Sequence, residues 1–304
     1  MNFENHNPLD TVLNNLFEQY RAGVPAVDKI TQALLEKGIV NSQKEIVNDH
    51  IAFRTLGVPN LGIASLEKIF LHYGYRKRDY YHFKEKKLNA FWYSPPTSDY
   101  PRIFMSELIV NELGDNARNI VENYTADITS DPVDSLNLNN GEEVAAFLHT
   151  PLWRLPNLAD YKTLLRESEY AAWVIYNRYY LNHYTISIHA LKRGLNKLED
   201  FNGFVERIGI KLNNAGGKIK TSADGLLSQS STVSKLYDAV FSGGEKFEIA
   251  GSYVEFAERK VLPEFKNLPE SEIKAEHRRD GFEANNANKI FESTYTGQIT
   301  GDKK

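Results

Sequence analysis

The sequence predicts an α+β fold: two βαβββ units forming a curved, barrel-like mixed sheet around a metal, with additional helices. Two observations predict it. The first is a pattern shared by Asn48–Arg54, Asn182–Ile188 and Ser252–Arg259, each of which alternates apolar and polar residues with the period of a strand. His50, Ala52 and Arg54 share one face against Ile51 and Phe53. His183, Thr185, Ser187 and His189 oppose Tyr184, Ile186 and Ile188, and Glu255 points with Ala257 away from Val254 and Phe256. The apolar face of each strand can pack on helices; the other presents His, His and Glu beside small residues. The second observation is a repeat: a strand opening on His, a helix about a dozen residues later and three further strands occur twice.

In chain order, Leu13, Leu16, Phe17 and Tyr20, then Val27, Ile30, Leu34 and Leu35, recur at helical spacing and predict two helices over 9–38. The first unit follows, with a strand at 50–56, a helix at 64–73 and strands at 76–83, 88–94 and 103–110. Residues 114–180 read as helices broken at Pro132, Pro151 and Pro156 and packed outside the sheet, with Tyr170–Asn177 as a buried helix. The second unit has its strand at His183, a helix at 195–208 and strands at 209–213, 225–232 and 247–258, with a turn at Asn213–Gly217. The expected divisions are 1–45, 46–113, 114–180, 181–261 and 262–304, one catalytic domain overall. In the last division, 280–291 can fold back over the site and 296–304 fray. Paired βαβββ units around a metal describe the vicinal oxygen chelate architecture.

Composition narrows the chemistry. The chain has 304 residues, 41% hydrophobic and 25% charged, with ample material for a core. A net charge of −4 gives no electrostatic case for nucleic acid or an anionic membrane. Without cysteine, thiol catalysis, disulfides, cysteine zinc sites and iron–sulfur clusters are excluded, so His, Asp or Glu must hold any metal. Met1–Asn5 lacks a signal-peptide pattern and no apolar run is long enough for a membrane span, so a cytoplasmic protein is expected.

Two imidazoles and one carboxylate leave metal positions open, as in non-haem Fe(II) oxygenases. His50 and His183 occupy equivalent places in the repeat. His189 shares a face with His183 but lies about 20 Å along an extended strand, too far for one metal. Glu255, flanked by apolar residues, needs a metal or a cation such as Arg54; Glu258, at the strand end, can meet solvent or Arg259. Arg54, about 13 Å beyond His50 on its face, suits bidentate capture of a substrate carboxylate, with an ordinary surface ion pair as the alternative. Gln229, in Leu226–Thr232, is a candidate donor to substrate or part of a hydroxyl-rich loop. The residues alone admit Fe, Mn, Co, Ni or Zn. They also admit a metal-dependent lyase, isomerase or hydrolase, or a non-catalytic small-molecule- or metal-binding protein.

His50-x-x-x-Arg54, Asn182-His183-x-Thr185 and Glu255-x-x-x-Arg259, with Lys87–Tyr93 and Pro101–Phe104, together resemble the 2-oxoadipate dioxygenase/decarboxylase family over about 45–295. The third motif also resembles the last strand of hydroxyphenylpyruvate dioxygenase, Glu-x-x-Gln-Arg, with Glu258 in place of Gln. The resemblance implies one Fe(II) per chain, held by His50, His183 and Glu255. It implies a 2-oxo dicarboxylic acid and O2 as reactants, with 2-oxoadipate converted to 2-hydroxyglutarate and CO2 in lysine catabolism. It places Arg54 on the substrate carboxylate, as both binding and catalytic residue, and brings Asn285 and Asn286 towards the substrate.

Overall fold

The computed structural model describes residues 3–192 and 194–301; the ends of the chain expected to carry Met1 and the last fraying residues, 302–304, lie outside them. Helix α1 (Pro8–Gly23) starts with proline at its first turn, and the Asn7 side chain accepts from the Asp10 amide. It buries Leu13, Leu16, Phe17 and Tyr20, the predicted stripe. Helix α2 (Pro25–Glu36) again begins at proline. The first unit then runs β1 (Asn48–Leu56), α3 (Ile63–His72), β2 (Arg76–Phe83), β3 (Leu88–Ser94) and β4 (Arg102–Leu108), close to the predicted ranges.

The insertion comprises α4 (Asp115–Thr125), α5 (Gly141–His149), α6 (Leu158–Glu167) and α7 (Glu169–Asn177). Asn140, Asn157 and Ser168 cap the last three. Helix α7 does not simply pack outside the sheet: Tyr170 and Trp173 reach Arg54, whose side chain belongs to the inner face. The reason is its composition, apolar on nearly every side, which is stable only when surrounded.

The second unit runs β5 (His183–Ser187), α8 (Leu198–Arg207), β6 (Lys220–Thr221) and β7 (Leu227–Ser231), then a hairpin of β8 (Leu236–Val240) and β9 (Lys246–Ala250), then β10 (Tyr253–Arg259). Three expectations change here. Residues 209–213 form no strand; Leu212 makes one isolated bridge to Thr232. The strand read over 247–258 is two strands in different sheets, separated at Gly251 and Ser252. Strands β6 and β8 were not anticipated: β6 is two residues long, and β8 is mostly exposed, so neither shows a buried period. The chain ends in α9 (Ala284–Ile290) and α10 (Thr296–Thr300), so 296–300 are helical rather than frayed.

Eight strands form one open, curled sheet in the order β2-β3-β4-β1-β5-β10-β7-β6. The predicted repeat is visible in this order. In each unit the first strand pairs parallel with the last, β1 with β4 and β5 with β10, and the units join through antiparallel β1 and β5. Two equivalent first strands therefore lie side by side at the centre, and β10 is next to them.

Candidate metal centre

Sheet register puts the predicted ligands on one wall. Arg102, His50, Thr185, Glu255 and Ser231 form one row across β4, β1, β5, β10 and β7. Phe104, Ala52, His183 and Tyr253 form the next, and Ser106 with Arg54 the one beyond. The central antiparallel pairing makes His50 and His183 diagonal neighbours, close enough for their side chains to meet.

They do meet. His50 Nε2 is 3.3 Å from His183 Nε2 and 3.5 Å from Glu255 Oε1, and His183 Nε2 is 3.1 Å from Glu255 Oε2. One donor atom from each residue lies within 4.8 Å of the others, and all three side chains are buried. Each imidazole is oriented from behind. His50 Nδ1 donates to Asp49 Oδ2 at 2.8 Å, and His183 Nδ1 to Asn182 Oδ1 at 3.0 Å. These acceptors place the Nδ1 protons away from the centre, so both Nε2 lone pairs face each other and a carboxylate. Thr185 Oγ1 also lies 3.0 Å from His50 Nε2. A proton or a metal cation can satisfy the converging lone pairs, and the donor set suits a divalent ion.

Electrostatics around the cluster agree. Burial alone would lower the His50 pKa, but Glu255 and Asp49 together raise it. Burial, with the charges of His50 and Arg54, holds His183 well below its ordinary value. A proton on His50 is what the metal-free cluster can accept; a metal would displace it. Asp49 is itself buried, which pushes its carboxyl up, yet the Arg259 guanidinium, His50 and Arg102 hold it well below the usual carboxylate range. Arg259 donates from Nε to Asp49 Oδ1 at 2.7 Å and from a terminal nitrogen to Oδ2 at 2.9 Å. The same guanidinium donates to the Gly281 carbonyl at 2.7 Å. Gly281 has φ +71°, the left-handed region that suits glycine as the chain turns across the site.

Arg54 is 1% exposed and makes no ion pair among the described residues, so neither a surface ion pair nor a bridge to Glu255 is formed. It donates to Thr294 Oγ1 at 2.9 Å and the Phe291 carbonyl at 3.1 Å, leaving Nε unbonded. Its guanidinium stacks near Tyr170, Trp173 and Phe291. Gln229 donates to Glu255 Oε1 at 2.6 Å and accepts from Asn286 at 3.0 Å, so its amide is engaged with the Glu255 carboxylate. Asn286 is thus brought to the site behind Gln229, whereas Asn285, the residue before it in the helix, is exposed and is not brought there.

The rival candidates have other partners. Strand β5 ends at Ser187, so His189 sits in the following helical turn, where Nδ1 accepts from the Arg259 amide at 3.2 Å. Glu258 is buried rather than solvated, and it accepts from Lys197 and from the Leu198 amide at the start of α8. Sequence reasoning gave Asn182 and Arg259 as motif positions, Arg259 also as a partner for Glu258, and assigned no role to Asp49 or Tyr253. A signal existed for Asp49 and Asn182: a side-chain acceptor immediately precedes each histidine in both units. A cavity of about 20 Å³ remains between the cluster and Arg54, lined also by Phe104, Tyr253, Phe282 and Phe291.

Comparison with known proteins identifies the family. The family model described as 2-oxoadipate dioxygenase/decarboxylase matches residues 12–270. The chain belongs to the 2-oxoadipate dioxygenase/decarboxylase family. It is 44% identical over 271 residues to the chloroplastic 2-oxoadipate dioxygenase/decarboxylase of Arabidopsis thaliana, covering 84% of this chain and 70% of that protein. The crystal structure of the hydroxyglutarate synthase of Oryza sativa in complex with 2-oxoadipate superposes with a TM-score of 0.86 at 42% identity, covering 95% of this chain and 93% of that one. A protein of Ralstonia eutropha JMP134 assigned to the glyoxalase superfamily shares the fold, with a TM-score of 0.69 at 21% identity over 91% of this chain and 87% of that one. The paired-unit fold read from the sequence is therefore the one observed.

Proposed function

We propose that this chain is a non-haem Fe(II) dioxygenase that converts 2-oxoadipate and O2 to 2-hydroxyglutarate and CO2, a step of lysine catabolism. The observation that carries the reading is the buried His50–His183–Glu255 cluster sharing one wall with Arg54, a buried cation lacking a carboxylate partner among the described residues. The family membership and the 2-oxoadipate bound by the rice relative support the substrate class. A cytoplasmic location belongs to the same reading, although the Arabidopsis relative is named chloroplastic; no helix among the described residues is long and apolar enough to cross a membrane.

His50, His183 and Glu255 would hold one Fe(II), which when bound supplies O2 activation and Lewis acidity. The protein's own part is orientation and exclusion of water. Asp49 and Asn182 keep both Nδ1 protons pointing outward, and Gln229 fixes one oxygen of Glu255. Arg54 holds the substrate carboxylate far from the metal, so the keto-acid end is presented to the cluster. Phe104, Phe282 and Phe291 line the intervening space with apolar surface and limit the water it can hold.

The deciding experiment loads the protein with Fe(II) without oxygen, supplies a panel of 2-oxo acids, and follows O2 uptake and products. The reading expects stoichiometric O2 and CO2 with 2-oxoadipate and 2-hydroxyglutarate as product. Turnover without O2 uptake would favour a lyase, isomerase or hydrolase of the same fold, and no turnover with any acid a binding protein.

A further inference from the structure

Tyr253 lines the same cavity and has no role in the arrangement described so far. Its side chain is 1% exposed, yet its hydroxyl has no hydrogen-bond partner. Buried hydroxyls are nearly always partnered, because an unpartnered one forfeits its bonds to water. Other features hold the residue rigidly. Its carbonyl accepts from the Tyr20 hydroxyl, its amide donates to the Asn182 carbonyl at 3.3 Å, and its ring lies against His183 at 4.8 Å between centroids. A phenol held this firmly with a free hydroxyl is prepared for a partner from outside the protein.

The register indicates which part of a substrate that partner is. Tyr253 lies in the row of Ala52 and His183, between the row of His50 and Glu255 and the row of Arg54. Arg54 and Ser293 lie beside the phenol without completing a hydrogen bond to it. Arg54 Nε is a second unpartnered buried donor lining this cavity. Two orphan donors, N–H and O–H, on side chains that line one cavity match the two oxygens of one carboxylate.

We propose that the Tyr253 hydroxyl and the Arg54 guanidinium form a joint carboxylate site, in which Tyr253 donates to the substrate carboxylate far from the metal and so selects 2-oxo diacids over 2-oxo monoacids. The inference rests on the reading that Arg54 anchors this carboxylate. It makes Tyr253 a substrate-binding and specificity residue, since its ring also remains as packing for His183 when the hydroxyl is removed.

Tyr253→Phe tests it. Fe(II)-loaded wild type and variant are titrated without oxygen, by calorimetry, with 2-oxoadipate and with 2-oxohexanoate, which has the same chain but no distal carboxylate. The variant should bind 2-oxoadipate roughly ten- to hundredfold more weakly, the effect of one hydrogen bond to a charged group, and bind 2-oxohexanoate as wild type does. Its thermal midpoint should be equal or higher, because the hydroxyl lost is unpartnered. Equal weakening for both acids would place the effect at His183 or the metal and overturn the proposal, as would unchanged affinity for 2-oxoadipate. Arg54→Lys is the separate control. If it leaves the wild-type preference for the diacid intact, the anchoring role of Arg54 fails and this proposal falls with it; if it erodes the preference while Tyr253→Phe does not, only Tyr253 is removed from the site.

Discussion

At the scale of the residue, the site is built from charges that cannot be moved singly. Asp49 serves two partners: it fixes the His50 proton at Nδ1, and it neutralises a buried Arg259. Asp49→Asn keeps an acceptor for His50 but removes the charge, so Arg259 is left buried without its counter-ion. Loss of one partner of a buried pair costs about 3 kcal/mol or more, and loss of such a carboxylate behind a ligand histidine lowers metal affinity roughly ten- to hundredfold. Denaturant unfolding of the metal-free variant and metal titration of the folded variant measure the two effects separately; a variant with wild-type metal affinity would show that Asp49 is only structural. Arg54→Lys probes the other end of the cavity. Lysine keeps a charge but not the planar fork, and loses stacking near Tyr170 and Trp173. Catalytic efficiency should fall roughly ten- to hundredfold, for a loss of about 1.5–3 kcal/mol, at unchanged iron content. Unaltered turnover per iron would remove Arg54 from the substrate. His50, His183 and Glu255 were legible because strand periodicity assigns a face to every residue. Their supports were less so: Arg259 lies 210 residues from Asp49 in sequence, and only the register of β1, β5 and β10 brings it under Asp49.

At the scale of the element, the chain after β10 behaves as a strap across the half-open sheet. It is tied to site residues at several points: Arg259 to Gly281, Asn286 to Gln229, and Arg54 to Phe291 and Thr294. Phe282 stands edge-on to His50 at 4.8 Å between ring centroids. The cavity beneath, about 20 Å³, has room for roughly one water and not for a six-carbon diacid. Entry of the proposed diacid would therefore require part of this strap, or the aromatic side chains it carries, to yield. Hydrogen exchange of 281–294 should be faster in the substrate-free protein and slow when a 2-oxo acid is bound without oxygen. Exchange there that ignores the ligand would mean that entry uses another route. That a segment near 280–291 folds back over the site was readable, since the tail is neither low in complexity nor uniformly charged. Its short helix α9 was not, because it is too brief for periodicity to rise above noise. The same reason explains β6, while β8 and β9 were obscured because a hairpin outside the main sheet leaves most of its residues exposed.

At the scale of the whole molecule, the two-unit fold was legible because each unit repeats one order of elements, and the pairing of the units puts their equivalent histidines together. A consequence of burying these groups in one core is a pH dependence that a metal should reshape. His183 and His149 have pKa values lowered by burial, and His189 is lowered to about 4 for the same reason. For each, the unfolded chain binds a proton near pH 6.5 that the folded chain refuses, so their favourable contribution is full above that pH and is lost as pH falls. His189 alone accounts for roughly 3 kcal/mol between about pH 6.5 and 4. His50 has the opposite sign: its raised pKa stabilises the fold below about pH 6.5, and that contribution is lost as pH rises through the folded value. The lowered pKa of Asp49 acts in a separate, more acidic window, below about pH 4. Metal-free protein should therefore be most stable near neutrality, declining on both sides, with the alkaline limb due to His50. A metal held by the cluster would occupy the His50 nitrogen that otherwise takes the proton, so the loaded protein should lose the alkaline limb. His189→Asn, which retains an acceptor for the Arg259 amide, should flatten the acid limb by about 1.4 kcal/mol per pH unit, the slope of one proton. Urea unfolding of metal-free, metal-loaded and His189→Asn proteins from pH 5 to 9 measures all three. A decline that sets in near pH 6.5 and persists at full metal occupancy would show that His50 is not a ligand, because the buried tyrosines, whose pKa values are raised, act only towards about pH 10.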